Sequence, residues 1–319
     1  MAEGKLDFAE PLLELVHRAE ALQRHAQQNR LHIDGELRTL FQNIQEVEEL
    51  FQKNLTPWQK VRLARHPMRP HPQYFCRMIF SDFMELHGDR RFGDDWAVGG
   101  GFAMLGTHPV MVIFTRKGHN LEQYLQNHFG CPEPEGYRKA LRLMKLAEKA
   151  RCPIVTLVDT PGAYPGISGG ERHIGEAIAV NLREMFRLTV PVVCVITGEG
   201  GSGGALGLAV GNKVLMLTNA YYSVITPEGC AAILWRDENR TADAARALKL
   251  TAEDLLKLNV IDEIVPEPLG GAHCNPGGAA AILKAALMRV LKPLWKKSPS
   301  RVKDARYDRF RKMGVFQEK

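Results

Sequence analysis

At 319 residues, with 45% hydrophobic and 24% charged side chains, the chain has the make-up of a globular protein, one large domain or two ordinary ones. No window of about 20 residues is apolar throughout, so no transmembrane helix is expected. MAEGKLDFAEPLLELV lacks the basic-then-apolar order of a signal peptide, which points to the cytoplasm. The net charge of +6 leaves a basic stretch at 292–312, and none of the six cysteines forms a CxxC pair, which argues against a zinc ribbon in this chain.

Residues 1–60 are polar and nearly free of glycine. Leu12, Leu13, Leu15, Val16 and Leu22, then Leu37, Leu40, Phe41, Ile44, Val47 and Leu50, recur at helical spacing. Two helices joined near 31-LHIDG-35 predict a helical hairpin suited to assembly. The proline-broken stretch 61–73 reads as a connector. Strands are predicted at 101–105, 110–115, 154–159, 191–197, 213–217, 221–225 and 260–265. Helices are predicted at 71–86, 135–150, 171–188, 203–210, 228–236 and 276–292. Alternating β-branched runs and amphipathic stretches indicate an α/β fold, with 154–159 and 191–197 apolar enough to be buried on both faces. The division is 1–60 helical arm, 61–292 globular domain and 293–319 basic helix or tail. The basic stretch reads as a solvated face; contact with nucleic acid is not expected.

Two glycine-rich turns, 159-DTPGAYPG-166 and 198-GEGGSGGA-205, each follow a buried strand and precede a helix. Glycine removes the Cβ atoms that would screen backbone N–H groups, and a helix N-terminus adds unpaired donors, so such turns suit a developing oxyanion. The second turn also fits two other patterns. Gly198-x-Gly200-x-x-Gly203 matches a dinucleotide fingerprint, but the following strand ends without the acidic residue that holds a ribose. Gly200-x-Ser202-x-Gly204 matches a nucleophile elbow, with Asp254 or Asp262 and then His273 in the order a hydrolase needs. A backbone oxyanion hole, with Ser202 merely small, explains more of the glycines than either pattern or than tight packing.

The segments 134-PEGYRKALRLM-144, 159-DTPGAYPG-166, 198-GEGGSGGA-205, 226-TPEGCAAILW-235 and 267-EPLGGAHCNP-276 resemble, in order, the motifs of the α subunits of acetyl-CoA carboxylase carboxyltransferases. The earlier 63-LARHPMRP-70 and 88-GDR-90 are also similar to that family. The resemblance implies a crotonase-like superhelix of repeated ββα units with an N-terminal helical hairpin. It implies an α2β2 assembly with a zinc-ribbon β subunit, consistent with the missing CxxC pairs, and no metal in this chain. Carboxybiotin on a biotin carboxyl carrier protein, loaded by biotin carboxylase, would donate its carboxyl group to acetyl-CoA, giving malonyl-CoA for fatty acid synthesis. No membrane is involved. The resemblance places the biotin-side oxyanion hole at Gly203 and Gly204, with Gly162 and Ala163 adjoining. Gly200, Gly201, Ser202, Tyr164, Pro165, Glu228 and Gly229 would line the biotin side, and Lys117 and Gly118 would meet coenzyme A phosphates.

Two segments depart from the family. After the first turn the chain reads 167-ISGGERHIGEAIA-179, with Gly170, His173 and Ile174 in place of Glu, Gly and Gln. After the second predicted strand it reads 116-RKGHNLEQ-123, with His119 in place of Arg. Gly169-Gly170 predicts a more mobile loop, and His119 and His173 are alternative bases. A pathway-specific paralogue using a related acyl-CoA, or a stand-alone crotonase-like acyl-CoA enzyme, are the competing readings.

Overall fold

The computed structural model describes residues 10–314. The expected hairpin is present: helix Glu10–Gln28 turns back at residues 29–33 into Asp34–Asn54, and Val16, Ala19 and Ile44 are buried between them. The boundary drawn at residue 60 falls inside a third helix, Pro57–Ala64. This helix is capped reciprocally by Thr56 and Gln59 and packs Val61, Leu63 and Ala64 inward.

Eight strands form one mixed sheet: β1 (Ser81–Glu85), β2 (Val98–Leu105), β3 (His108–Thr115), β4 (Ile154–Thr160), β5 (Val192–Gly201), β6 (Lys213–Leu217), β7 (Tyr221–Ser223) and β8 (Glu263–Val265). Order along the sheet is β1-β2-β3-β4-β5-β6-β8. The β1-β2 and β2-β3 pairs are antiparallel; the others are parallel. Every residue of β4 and β5 is buried, as the nearly continuous apolar runs at 154–159 and 191–197 predicted. β5 pairs with β6 from Val193 to Ile196, then leaves it and pairs with β7 from Glu199 to Gly201. This change of partner places the start of the second glycine turn between β4, through Thr160 and Gly200, and β7.

The helix predicted over 71–86 is a correction. Helix Pro72–Ile79 stops there, and Ser81–Glu85 becomes the edge strand β1, with a register irregularity at Asp82, whose φ is 52°. The basic C-terminal stretch is also not a free tail. Helix Pro276–Leu294 crosses the boundary drawn at 292, and helix Pro299–Arg311 folds back on the domain. Arg306 on that last helix is fully buried and donates to the carbonyls of Met185, Leu188 and Val190 and to Asn212 Oδ1 at 2.6–2.8 Å. The solvated-face expectation therefore fails at this residue, because three helix-end and loop carbonyls need a donor that reaches them.

Candidate active site

The two glycine turns lie side by side at the carboxyl ends of β4 and β5. A Cβ on Gly201 would stand 2.0 Å from Pro161 O, and one on Gly204 would stand 2.4 Å from both Ala163 N and Gly162 C. Glycine at these two positions is therefore required by backbone-on-backbone packing. Gly203 is different: its nearest neighbour would be Ile178 Cδ1 at 3.8 Å, ordinary contact. Gly203 and Gly204 are the second and third residues of helix Ser202–Leu206, where N–H groups have no intrahelical acceptor. Tyr137, fully buried on helix Pro134–Ala150, donates its hydroxyl to Gly204 O at 3.0 Å and fixes the turn from below. Across the gap, the Ala163 N–H meets no acceptor among the described residues. The Gly162 N–H points instead to Thr160 Oγ1 at 3.2 Å, so of the first turn's two expected donors only Ala163 is open. Beside Gly203 opens a largely apolar cleft of about 320 Å³, walled by Leu206, Tyr222, Val224, Leu248 and Val260.

Beneath the turns lies a buried charge cluster that the sequence did not announce. Lys117 Nζ sits 2.6 Å from Asp159 Oδ1 and 2.7 Å from Glu199 Oε1. Glu199 also accepts from Arg65 Nε at 2.7 Å and from the Tyr221 hydroxyl at 2.6 Å, and Arg65 Nη1 reaches Glu228 at 2.5 Å. Asp159 Oδ1 accepts the Glu199 N–H at 2.8 Å. Burial opposes charge on Glu199, but Lys117 and Arg65 outweigh it and hold the carboxyl at about 2. Likewise burial opposes the Lys117 ammonium, and Asp159 and Glu199 raise it above its ordinary range. A second pair, Arg69 and Glu267, is buried nearby, with Nη2 to Oε1 at 2.7 Å and Arg69 Nε donating to Thr197 O at 2.9 Å.

The hydrolase reading does not assemble. Ser202 does have the left-handed backbone of an elbow, φ 50°, but no histidine or carboxylate bonds its hydroxyl among the described residues. Asp262 is taken by Lys213, the Val214 N–H and Arg309; Asp254 caps a helix with Thr251; the His273 ring packs on His66 at 4.0 Å.

Residues 5–314 match the family model described as acetyl co-enzyme A carboxylase carboxyltransferase-like. The chain belongs to this family. It is 53% identical over 317 residues to the acetyl-coenzyme A carboxylase carboxyl transferase subunit alpha of Geobacter metallireducens, covering 99% of both chains. It is 50% identical to the protein of the same name from Thermus thermophilus, covering 98% of this chain and 99% of that one. Among solved structures it is similar to transcarboxylase 12S (TM-score 0.59, 17% identity, 72% of this chain and 42% of that one). It is also similar to a Pseudomonas malonate decarboxylase hetero-tetramer (TM-score 0.55, 14% identity, 68% and 86%). These distant likenesses concern the fold, which is the crotonase-like α/β architecture expected from the sequence.

For a carboxyltransferase of this family, the remaining expected residues fall as follows. Lys117, expected at a coenzyme A phosphate, is instead buried with both its acceptors inside the protein, and adjacent Gly118 (φ 137°) is pressed against the Gln123–Tyr124 backbone. Glu228 is tied to Arg65, while the Gly229 N–H is capped by Thr226 Oγ1 at 3.1 Å. The Tyr164 ring packs on His128 at 4.7 Å and covers Gly166 and Gly169; Pro165 is exposed. The Gly200 position faces Tyr222 and the Tyr221 carbonyl. The altered loop is a short helix, Ile167–Glu171, in which Gly169 fits under the Tyr164 carbonyl; this tucked glycine serves packing. His173 is exposed in a left-handed conformation, and His119 stacks on His71 at 4.9 Å. Neither reaches the two turns by any hydrogen bond. Among the described residues no cluster of side chains would hold a metal, and no helix is long and apolar enough to cross a membrane.

Proposed function

We propose that this chain is the α subunit of a biotin-dependent acetyl-CoA carboxyltransferase that forms malonyl-CoA together with a zinc-ribbon β subunit in an α2β2 assembly. Its donor is carboxybiotin on a biotin carboxyl carrier protein, charged by biotin carboxylase, and its setting is the cytoplasm. The observation that carries the reading is the close backbone packing of two turns that each hold N–H groups without an acceptor among the described residues, Ala163 on one and Gly203 and Gly204 on the other, with Gly203 also lining an apolar cleft. A site that must hold a ureido ring needs an apolar wall and donors with no competing side chains, and this gap offers both. Carboxybiotin supplies the transferable carboxyl group when bound, and its ureido oxygen gains negative charge as that group leaves.

The chain's own part is to meet charge. Ala163, Gly203 and Gly204 aim preorganised N–H groups at an oxyanion; removal of one such donor typically costs about 3 kcal/mol of transition-state stabilisation. Leu206, Tyr222 and Val224 offer an apolar wall beside Gly203, with Val224 exposed in the isolated chain. No side-chain acid is needed for donors of this kind. The acyl-CoA is bound mainly by the β subunit, and a panel of acyl-CoAs tests whether acetyl-CoA is the acceptor.

Gly203→Val adds bulk beside Ile178 at the start of the glycine-turn helix, at a position where a Cβ meets no backbone of the first turn. Carboxyl transfer should vanish in the variant complex while co-purification with the β subunit persists. Wild-type turnover in that variant would refute the assignment, and turnover by the isolated chain would favour a stand-alone acyl-CoA enzyme instead.

A further inference from the structure

Asp159 and Glu199 occupy equivalent places: each sits near the end of its strand, just before a glycine turn. Asp159 leads into Pro161–Ala163 and Glu199 into Gly200–Gly204. A single ammonium, Lys117 Nζ, lies within 2.7 Å of a carboxylate oxygen of each. The lysine itself has no freedom. Asn127 Nδ2 holds its carbonyl at 3.0 Å, and Gly130 packs so closely that a Cβ there would lie 2.5 Å from Lys117 Cγ. Within the cluster Glu199 is further fixed by Arg65 and Tyr221, so the brace is anchored on the β5 side and transmits its position to the β4 side.

We infer that Lys117 is a positioning residue that cross-braces the two glycine turns and so sets the spacing between the Ala163 and Gly203 N–H donors. This rests on the oxyanion reading above. Without the ammonium, two carboxylates that now share one cation face each other directly. They repel, and the turns they lead into move apart. The N–H groups survive such a change; their aim does not. A shift of about 1 Å in a catalytic arrangement commonly costs about 100-fold in rate.

The test is Lys117→Met in the full complex with the β subunit. The kcat for carboxyl transfer should fall about 100-fold, with KM for the acyl-CoA within about 3-fold of wild type. Independently of turnover, amide hydrogen exchange should quicken at least about 10-fold in 160–166 and 198–206 and stay unchanged elsewhere. Around the cation's place stand Asp159, Glu199, Arg65, Tyr221, His71 and Cys131. A proton shared by the two carboxylates takes over part of the cation's role, so the deficit should narrow from about pH 8 to about pH 6. Lys117→Met/Asp159→Asn removes one charge of each sign and keeps the Oδ1 acceptor for the Glu199 N–H. It should recover about 10-fold of the loss and stay about 10-fold below wild type.

The inference is overturned if Lys117→Met keeps kcat within about 3-fold of wild type, or loses it without faster exchange in the turns, or speeds exchange evenly throughout the chain. If only the double variant folds, wild-type kcat in it overturns the inference just as surely. An active Gly203→Val complex would sink the oxyanion reading alone, since the exchange measurement still judges the brace.

Discussion

Alanine at Gly204 and alanine at Gly203 are chemically the same change one residue apart, yet the structure separates their outcomes. A methyl at 204 would stand 2.4 Å from Ala163 N and Gly162 C, about 1 Å inside ordinary contact and against backbone that has no rotamer to yield. The first turn must move away from the second by about that amount. Overpacking of this kind costs about 1–3 kcal/mol of stability, and a displacement of about 1 Å between catalytic groups costs about 100-fold in rate, close to 2.7 kcal/mol of barrier. At 203 the methyl meets only Ile178 Cδ1 at 3.8 Å, and both N–H groups persist. Steady-state carboxyl transfer by the complexes, with urea midpoints measured alongside, should therefore show Gly204→Ala about 100-fold down in kcat and Gly203→Ala within about 3-fold of wild type. Equal activity in the two variants would refute the claim that the turns' mutual packing, alongside the Lys117 brace, contributes to the donor geometry.

Further consequences concern stability. Arg306→Met takes the guanidinium donors from the carbonyls of Leu188 and Val190 and leaves Met185 O only the long bond from the Leu188 N–H, and the urea midpoint should drop by the equivalent of about 3 kcal/mol; a drop below about 0.5 would show that water replaces the guanidinium freely. Glu267→Gln strands the buried Arg69 guanidinium and weakens the carboxylate's bonds to the Asn219 and Ala272 N–H groups. A loss of about 3–5 kcal/mol is expected, largely recovered in Arg69→Met/Glu267→Gln. The pH dependence has two stages. Burial holds His71 and His273 at about 4, below the unfolded value of about 6.5, with neighbouring cations adding to the effect. Their stabilising neutral forms are complete above about pH 6.5 and lost as pH falls towards 4, whereas Glu199, at about 2, costs stability only below about pH 4.5. Urea midpoints should fall across the upper window in wild type and less steeply in His71→Gln/His273→Gln; equal slopes would refute the assignment.

The strands at 154–159 and 191–197 were legible because a nearly all-apolar, β-branched run of that length fits best between two covered faces. The second turn was legible because five glycines in seven residues serve little besides close backbone approach and unscreened N–H groups. Edge strand β1 was not. Its SDFME continues the helical spacing of PQYFCRMI, and a strand with exposed Ser81, Asp82 and Met84 leaves no alternation to read. The charge cluster was hidden for another reason. Arg65 meets Glu199 at a separation of 134 residues, and Arg69 meets Glu267 at 198, distances over which no local pattern carries information. Lys117 follows a strand and looks like any surface lysine until β4 and β5 place carboxylates on either side of it. The family resemblance suggested a ligand outside the protein for a lysine whose partners in the structure are Asp159 and Glu199.

The Arg306 clasp also has a consequence in time. Its partner Asn212 lies 94 residues earlier, so at synthesis rates of about 5–20 residues per second the two leave the ribosome about 5–20 s apart. Through that interval the sheet can form, but the carbonyls at the end of helix Ile174–Arg187 remain open to water. The last helix thus works as a completion mark. A chain cut short between residues 295 and 305 keeps every strand but has an unlatched flank, and that flank is what a protease or chaperone would find.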